Sequence, residues 1–238
     1  MEIDQGLPLG HGVSILKTLE AGLIALHKPD GIMSHPNETR ANPKALLTCA
    51  YDLENERYYW KGGELFLLHR LDSPTSGVIL GCSDFALARA IKKAFEDNTI
   101  QKTYRALVFG SLASKKEIWQ DRLEKNGTGS VITRGKPNAL TEIKRISTTR
   151  LEDGIFSQLE LKPKTGKTHQ LRVQAAARGL PMIGDATYGN FAWNRAFTRL
   201  TGHKRLFLHA LEVMVKLEWK GKPLEFYATS PLPEEFGI

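Results

Sequence analysis

The chain has 238 residues, 41% of them hydrophobic and 25% charged, which is enough apolar content for a core that needs neither metal nor disulfide. Lys and Arg number 33 against 26 Asp and Glu, a formal net charge of +7 that suits a polyanionic partner but is shared by many proteins that bind no nucleic acid. Cys49 and Cys82 lack the spacing of a zinc knuckle or disulfide framework, and no run approaches the roughly 18 apolar residues of a membrane span, so a reduced, cytoplasmic protein with no membrane partner is expected.

In chain order, strands are predicted at Leu23–His27, Leu65–His69 and Val78–Cys82. After Ser83, a suitable N-cap, the stripe Leu87, Ile91, Ala94 and Phe95 predicts a helix that ends at Asn98. Strands follow at Ile100–Phe109, Ala139–Ile146 and Ile155–Leu161. Between them Lys125–Lys136, rich in Gly and Ser and without apolar periodicity, reads as an exposed loop whose Lys125, Arg134 and Lys136 are placed to touch a polyanion. A second helix is expected from near Thr168 to Gly179, ahead of Pro181, and strands at Leu206–Leu217 and Leu224–Ala228 complete the series. Many strands, few helices and no βαβα rhythm predict an α+β fold with a mixed, mostly antiparallel sheet and flanking helices. Residues 1–22 read as an N-terminal extension and 23–238 as one continuous domain.

Three runs can carry chemistry. In Leu65–Gly81 an apolar strand delivers His69, Arg70 and Asp72 to its end, where Pro74 and Gly77 turn the chain. A carboxylate there, with Arg70 beside it, suits a nucleophile; it equally suits an Asx turn in which Asp72 caps the Ser-Pro-Thr loop. In Lys102-Thr103-Tyr104-Arg105 a strand Tyr has cations as sequence neighbours, which can lower a phenol's pKa, although a half-buried Tyr between solvated bases reads the same way. The third run, Lys164–Arg172, contains Gly166-Lys167-Thr168 but fails as a Walker loop, because Leu161 stands where the first Gly belongs. Its helix start can still hold one phosphate, and Arg172 can pair with a carboxylate in a cleft or lie in a surface ion pair.

The histidines, His27, His35, His69, His169, His203 and His209 among them, show no zinc-type spacing, so no metal is expected. Phe191, Trp193 and Phe197 alternate with Arg195 and Arg199, a pattern for stacking bases and holding phosphates, or for a plain amphipathic helix.

Taken together, the runs resemble the RluA-type family of RNA pseudouridine synthases over about residues 23 to 236. Lys28-Pro29-Asp30-Gly31 with His35-Pro36 is similar to the family's opening. His69-Arg70-Leu71-Asp72-x-x-Thr75-Ser76-Gly77 matches its most specific motif in every fixed position. Lys102-Thr103-Tyr104 and Gly166–Val173 follow, then Pro181–Asp185 with Tyr188-Gly189, Leu208-His209-Ala210 and Pro231-Leu232-Pro233. Lys167 for the usual Arg and Gln174 for a frequent His are departures that bear on RNA contact.

The resemblance implies an α+β pseudouridine synthase fold with a central RNA-binding cleft and no S4 domain before it. It makes Asp72 the catalytic carboxylate, with Arg172 pairing it and Tyr104 stacking on the uracil. Arg70 would fill the gap left by the flipped base and Leu171 would wall the base, with His69, Thr75, Lys167 and His169 among the substrate contacts. No cofactor is implied, and the partner is RNA. The segment from Tyr188 to Ala210 looks most like the tRNA-directed branch, with ribosomal RNA as the alternative. A monomer without an obligate protein partner is expected. The rivals are a non-catalytic RNA-binding protein of the same fold and a glycoside hydrolase using Asp72 and Asp185 as its carboxylate pair.

Overall fold

The structure, a computed structural model, describes residues 6–151 and 154–237. Its elements in chain order are β1 Ser14–Leu19, β2 Leu23–Lys28, β3 Ala50–Asp52, β4 Arg57–Trp60, β5 Gly63–Leu67, β6 Ser76–Cys82 and α1 Phe85–Glu96. Then come β7 Gln101–Phe109, β8 Lys116–Asn126, β9 Gly129–Thr133, β10 Ala139–Leu151, β11 Gly154–Pro163 and α2 Gln170–Ala177. α3 Phe191–Thr201, β12 Leu208–Trp219, β13 Lys222–Thr229 and a 3-10 turn Glu234–Gly237 complete the chain. The fold is α+β. No helix among the described residues is long and apolar enough to cross a membrane.

The chain divides into two compact units, one made of residues 1–100 and 210–231, the other of 101–209 and 232–238. In the first unit β6 is the centre: all seven of its residues are buried, and β2 runs antiparallel along its whole length from Leu23↔Cys82 to Lys28↔Gly77. Such short, continuous apolar runs are what strands covered on both faces require. Of the N-terminal extension, residues 1–5 lie outside the described residues, while Ser14–Leu19 form β1 and pair antiparallel with β2. α1 lays Leu87, Ala88 and Ile91 against this sheet; its N-cap is Asp84, one residue beyond the expected Ser83, whose carboxylate accepts from the Leu87 amide at 2.7 Å. Gly77, at φ +124, passes so close to the Ala210 backbone that any Cβ would collide with its carbonyl, which accounts for the Gly of the Thr-Ser-Gly run. Burial pushes both thiols, Cys49 and Cys82, up to about 11, so neither is a ready nucleophile at neutral pH.

In the second unit the strand order is β7-β11-β10-β8-β9, antiparallel throughout. Its core gathers Val108, Trp119, Ile143, Leu159 and Leu161 with Leu171 and Ala175 of α2. A second cluster joins Phe109, Phe156 and Phe207 to Phe197 of α3. The segment Lys125–Lys136 is no simple loop: β8 and β9 pair from Arg122↔Thr133 to Asn126↔Gly129 and turn on Gly127-Thr128, with Gly127 at φ +56. Its alternation is invisible to an apolar count because Val131 and Ile132 are both exposed. α2 begins at Gln170 rather than near Thr168, since His169 takes up the left-handed conformation (φ +52) at the N-cap.

Candidate active site

The first unit presents Asp72 on a loop whose backbone is tied down from several sides. Lys28, with no exposed surface, donates from its ammonium to the carbonyls of Ile32 (2.6 Å), Pro29 (3.0 Å) and Ser73 (3.0 Å). The amide of Gly31 also donates to Ser73 O at 2.9 Å. On the other side of Asp72, the Ser34 hydroxyl donates to Leu71 O at 2.7 Å and accepts from Leu71 N at 2.9 Å. The Lys-Pro-x-Gly…His-Pro opening is therefore the bracket that holds the Asp72 loop. Asp72 O accepts from Thr75 N at 2.9 Å, which closes the turn that the Ser-Pro pair predicts. We expect Lys28→Met to leave the Ile32 and Pro29 carbonyls short of the Lys28 donor, and Ser73 O with only the Gly31 amide, and to cost about 2 kcal/mol or more in urea unfolding, with activity lost in proportion to the loosened loop.

The basic and aromatic neighbours divide into two kinds. Arg70 is exposed, and its Nη1 donates to His35 Nε2 at 3.3 Å, while His35 Nδ1 pairs with Pro36 O at 2.8 Å and the ring stacks on Tyr51. His69, by contrast, accepts from the Leu80 amide at 3.0 Å and stacks on Phe95, contacts that align the end of the strand. Thr75 is 3% exposed, and its hydroxyl has no hydrogen-bond partner among the described residues.

The second unit holds Arg172 in a buried fork. Nε donates to Asp185 Oδ2 and Nη2 to Oδ1, both at 2.8 Å, in a pair that is 5% and 1% exposed. Nη2 also donates to Thr187 Oγ1 at 3.1 Å, and the guanidinium carbon lies 5.2 Å from the Tyr188 ring centre. Burial alone would raise the Asp185 carboxyl; the Arg172 guanidinium and the amides of Tyr188 and Thr187 outweigh it and hold the group below the ordinary carboxylate range. A carboxyl so paired is no proton donor at neutral pH, which removes Asp185 from any hydrolase acid role. The need for this partner was readable in principle, since a buried Arg must meet an acid, and Asp185 ends the Pro-Met-Ile-Gly-Asp run.

Tyr104 packs on the core cluster that contains Leu171, itself 7% exposed. Arg105, its sequence neighbour, points to the opposite face of β7 and lies 3.7 Å from Glu160, so it is not the cation beside the phenol. Lys102 shares the face of Tyr104, and burial pulls its ammonium below its ordinary value. In the Gly166-Lys167-Thr168 stretch the Lys167 amide already donates to Gln170 Oε1 at 3.1 Å, while the Lys167 side chain is exposed. His169 Nδ1 and the Tyr188 hydroxyl are 3.0 Å apart, and that hydroxyl accepts from Ser130 N at 3.0 Å, which moors the β8–β9 hairpin. Gln174, expected to matter for RNA contact, has no exposed surface; it accepts from Thr141 Oγ1 and donates to Asp121 Oδ2, both at 2.7 Å. That departure alters the interior.

Comparison with known proteins adds the following. The family described as RNA pseudouridylate synthase matches residues 22–177. The tRNA pseudouridine synthase C of Haemophilus ducreyi is 33% identical over 199 residues, with 79% of this chain and 79% of that protein covered. Its namesake from Yersinia pestis is 30% identical over 217 residues, covering 87% and 82%. The ribosomal large subunit pseudouridine synthase D of Borreliella burgdorferi is 33% identical over 177 residues, covering 71% of this chain and 53% of that protein, so the chain spans about half of that relative. The solved structure of human RNA pseudouridylate synthase domain containing 1 shares the fold, with a TM-score of 0.69 and 23% identity over 92% of this chain and 83% of the other.

Proposed function

Because the chain belongs to the RNA pseudouridylate synthase family, we propose that it isomerises a specific uridine of a structured RNA, with tRNA favoured over ribosomal RNA, and that Asp72 is the catalytic carboxylate. The observation that carries this reading is the braced Asp72 loop: Lys28, Gly31 and Ser34 all bind the backbone on either side of Asp72, which fixes where its carboxylate stands. In the reaction the C1′–N1 bond breaks and a C1′–C5 bond forms, C5 loses a proton and N1 gains one, so no metal, redox cofactor or ATP enters the balance.

The target base must leave its stack, at a cost of about a few kcal/mol, and Arg70 fills the gap. Asp72 opens the glycosidic bond by attack at C1′ or by removing the 2′ proton. Arg172, its fork oriented by Asp185, keeps Asp72 ionised; Tyr104 stacks on the uracil and helps to remove the C5 proton; Leu171 walls the base. Lys167 and His169 contact the RNA nearby, whereas Thr75, expected among those contacts, is buried and serves the loop from inside, and His69 acts by aligning the loop. The protein works as a cytoplasmic monomer.

The tRNA preference is supported by the synthase C relatives, matched over most of their length. The equal identity to a ribosomal synthase D keeps rRNA as the second reading. A pseudouridine map of total RNA from cells with and without the gene separates the two. Loss of a tRNA site is expected. Loss confined to ribosomal RNA would transfer the assignment, and no loss anywhere would remove it.

A further inference from the structure

We infer that the outer face of α3 is a docking surface for a single-stranded part of the RNA substrate, an inference that rests on the RNA reading above. Along this helix Phe191, Arg195 and Arg199 follow at four-residue steps and form one ridge. Trp193 and Leu200, seven residues apart, form a second, and Ala192 and Ala196 leave a shallow strip between them. Both ridges face outward. Phe191 is 61%, Trp193 48% and Leu200 50% exposed, and Arg195 and Arg199 are exposed as well. The opposite side of the helix carries Phe197, 3% exposed in the aromatic cluster with Phe109, Phe156 and Phe207. Of the aromatic residues singled out in the sequence, Phe197 is thus core and Phe191 surface, while Trp193 rests one side of its ring on Phe109, with centroids 5.4 Å apart, and leaves the rest exposed.

Large apolar side chains grouped on an open face call for a partner. The helix has two cations on this face and no acidic residue anywhere in Phe191–Thr201, which complements a polyanion better than a mixed-charge protein surface. A cationic ridge for phosphates beside aromatic rings for bases is the arrangement that single-stranded nucleic acid takes. The helix is also fixed to the catalytic side of its unit. Asn194 accepts from the Gly184 amide at 2.9 Å and donates to Asp185 O at 3.1 Å, and Asp185 is the residue that orients Arg172. RNA held on α3 is therefore held in register with Arg172.

The test uses tRNA from cells lacking the gene, labelled with tritium at uridine C5, and compares wild type with Phe191→Ala/Arg195→Gln/Arg199→Gln. KM is expected to rise about tenfold or more, and the log–log salt slope of kcat/KM to become shallower by about 1.4 for two lost phosphate contacts on a single strand. Arg195→Lys/Arg199→Lys keeps the charge and should keep the slope. An active wild type whose triple variant shows the same KM and slope would overturn the inference while leaving the function standing. So would a variant that loses self-association but keeps its RNA kinetics, because the face would then belong to a second copy. A wild type that releases no tritium from tRNA or ribosomal RNA removes both.

Discussion

Asp72→Asn is expected to give a folded protein that binds RNA as the wild type does and turns it over on the order of 10⁴-fold more slowly or worse. The amide has the shape of the carboxylate but neither attacks C1′ nor takes a proton. The bonds that shape the loop run to backbone atoms of Leu71, Ser73 and Thr75, so the substitution leaves them in place. Single-turnover tritium release and filter binding on the same preparation check the two halves separately. Undiminished release would exclude Asp72 as the catalytic group, and lost binding with a lowered unfolding midpoint would make its role structural.

The second large effect is expected at Asp185. Asp185→Ala removes the carboxylate that grips the buried Arg172 guanidinium, and breaking a buried pair from one side costs about 3–5 kcal/mol. Urea unfolding at neutral pH measures it. The same pair predicts a pH dependence. Because the folded carboxyl titrates below its unfolded value of about 3.9, its contribution is fully present above that pH and is lost as the pH falls through the lower folded value. The variant should therefore show a flatter acid limb than the wild type. A loss under about 1 kcal/mol, the size of a surface ion pair, would mean that the fork is not the buried pair described. Activity should fall further than stability, since the guanidinium is aimed by this carboxylate.

The elements that could be read from the sequence are those whose side chains report their burial. β2 and β6 are continuous apolar runs, and α1 carries one clear stripe at helical spacing. The strands that could not be read hide for a physical reason. β8 buries Trp119 and Leu123 and little else, β9 exposes its apolar residues, and β3 has three residues, so backbone pairing rather than apolar alternation defines them. At the site, local residue types left Asp72 as a turn cap or a nucleophile, and only the ordered family resemblance pointed to Asp72, Tyr104 and Arg172 together; the supports of those groups lie elsewhere in the chain. Nothing near Lys28 in the chain shows that it caps Ser73, because that bond depends on how the strands return, whereas Arg172 meets Asp185 just beyond the end of its own helix. Arg105 was credited to Tyr104 by adjacency alone, and strand alternation sends it the other way.

The most direct measurement follows purified wild-type protein on RNA from cells lacking the gene, labelled at uridine C5, and counts tritium released to water and pseudouridine formed in the same reaction. Intramolecular isomerisation through Asp72 predicts one tritium for each pseudouridine, with the RNA chain unbroken and no free uracil. Free uracil in place of pseudouridine, still carrying its tritium, would contradict the account and make the chain a hydrolase rather than an isomerase, and tritium without pseudouridine would contradict it as exchange or substitution at C5.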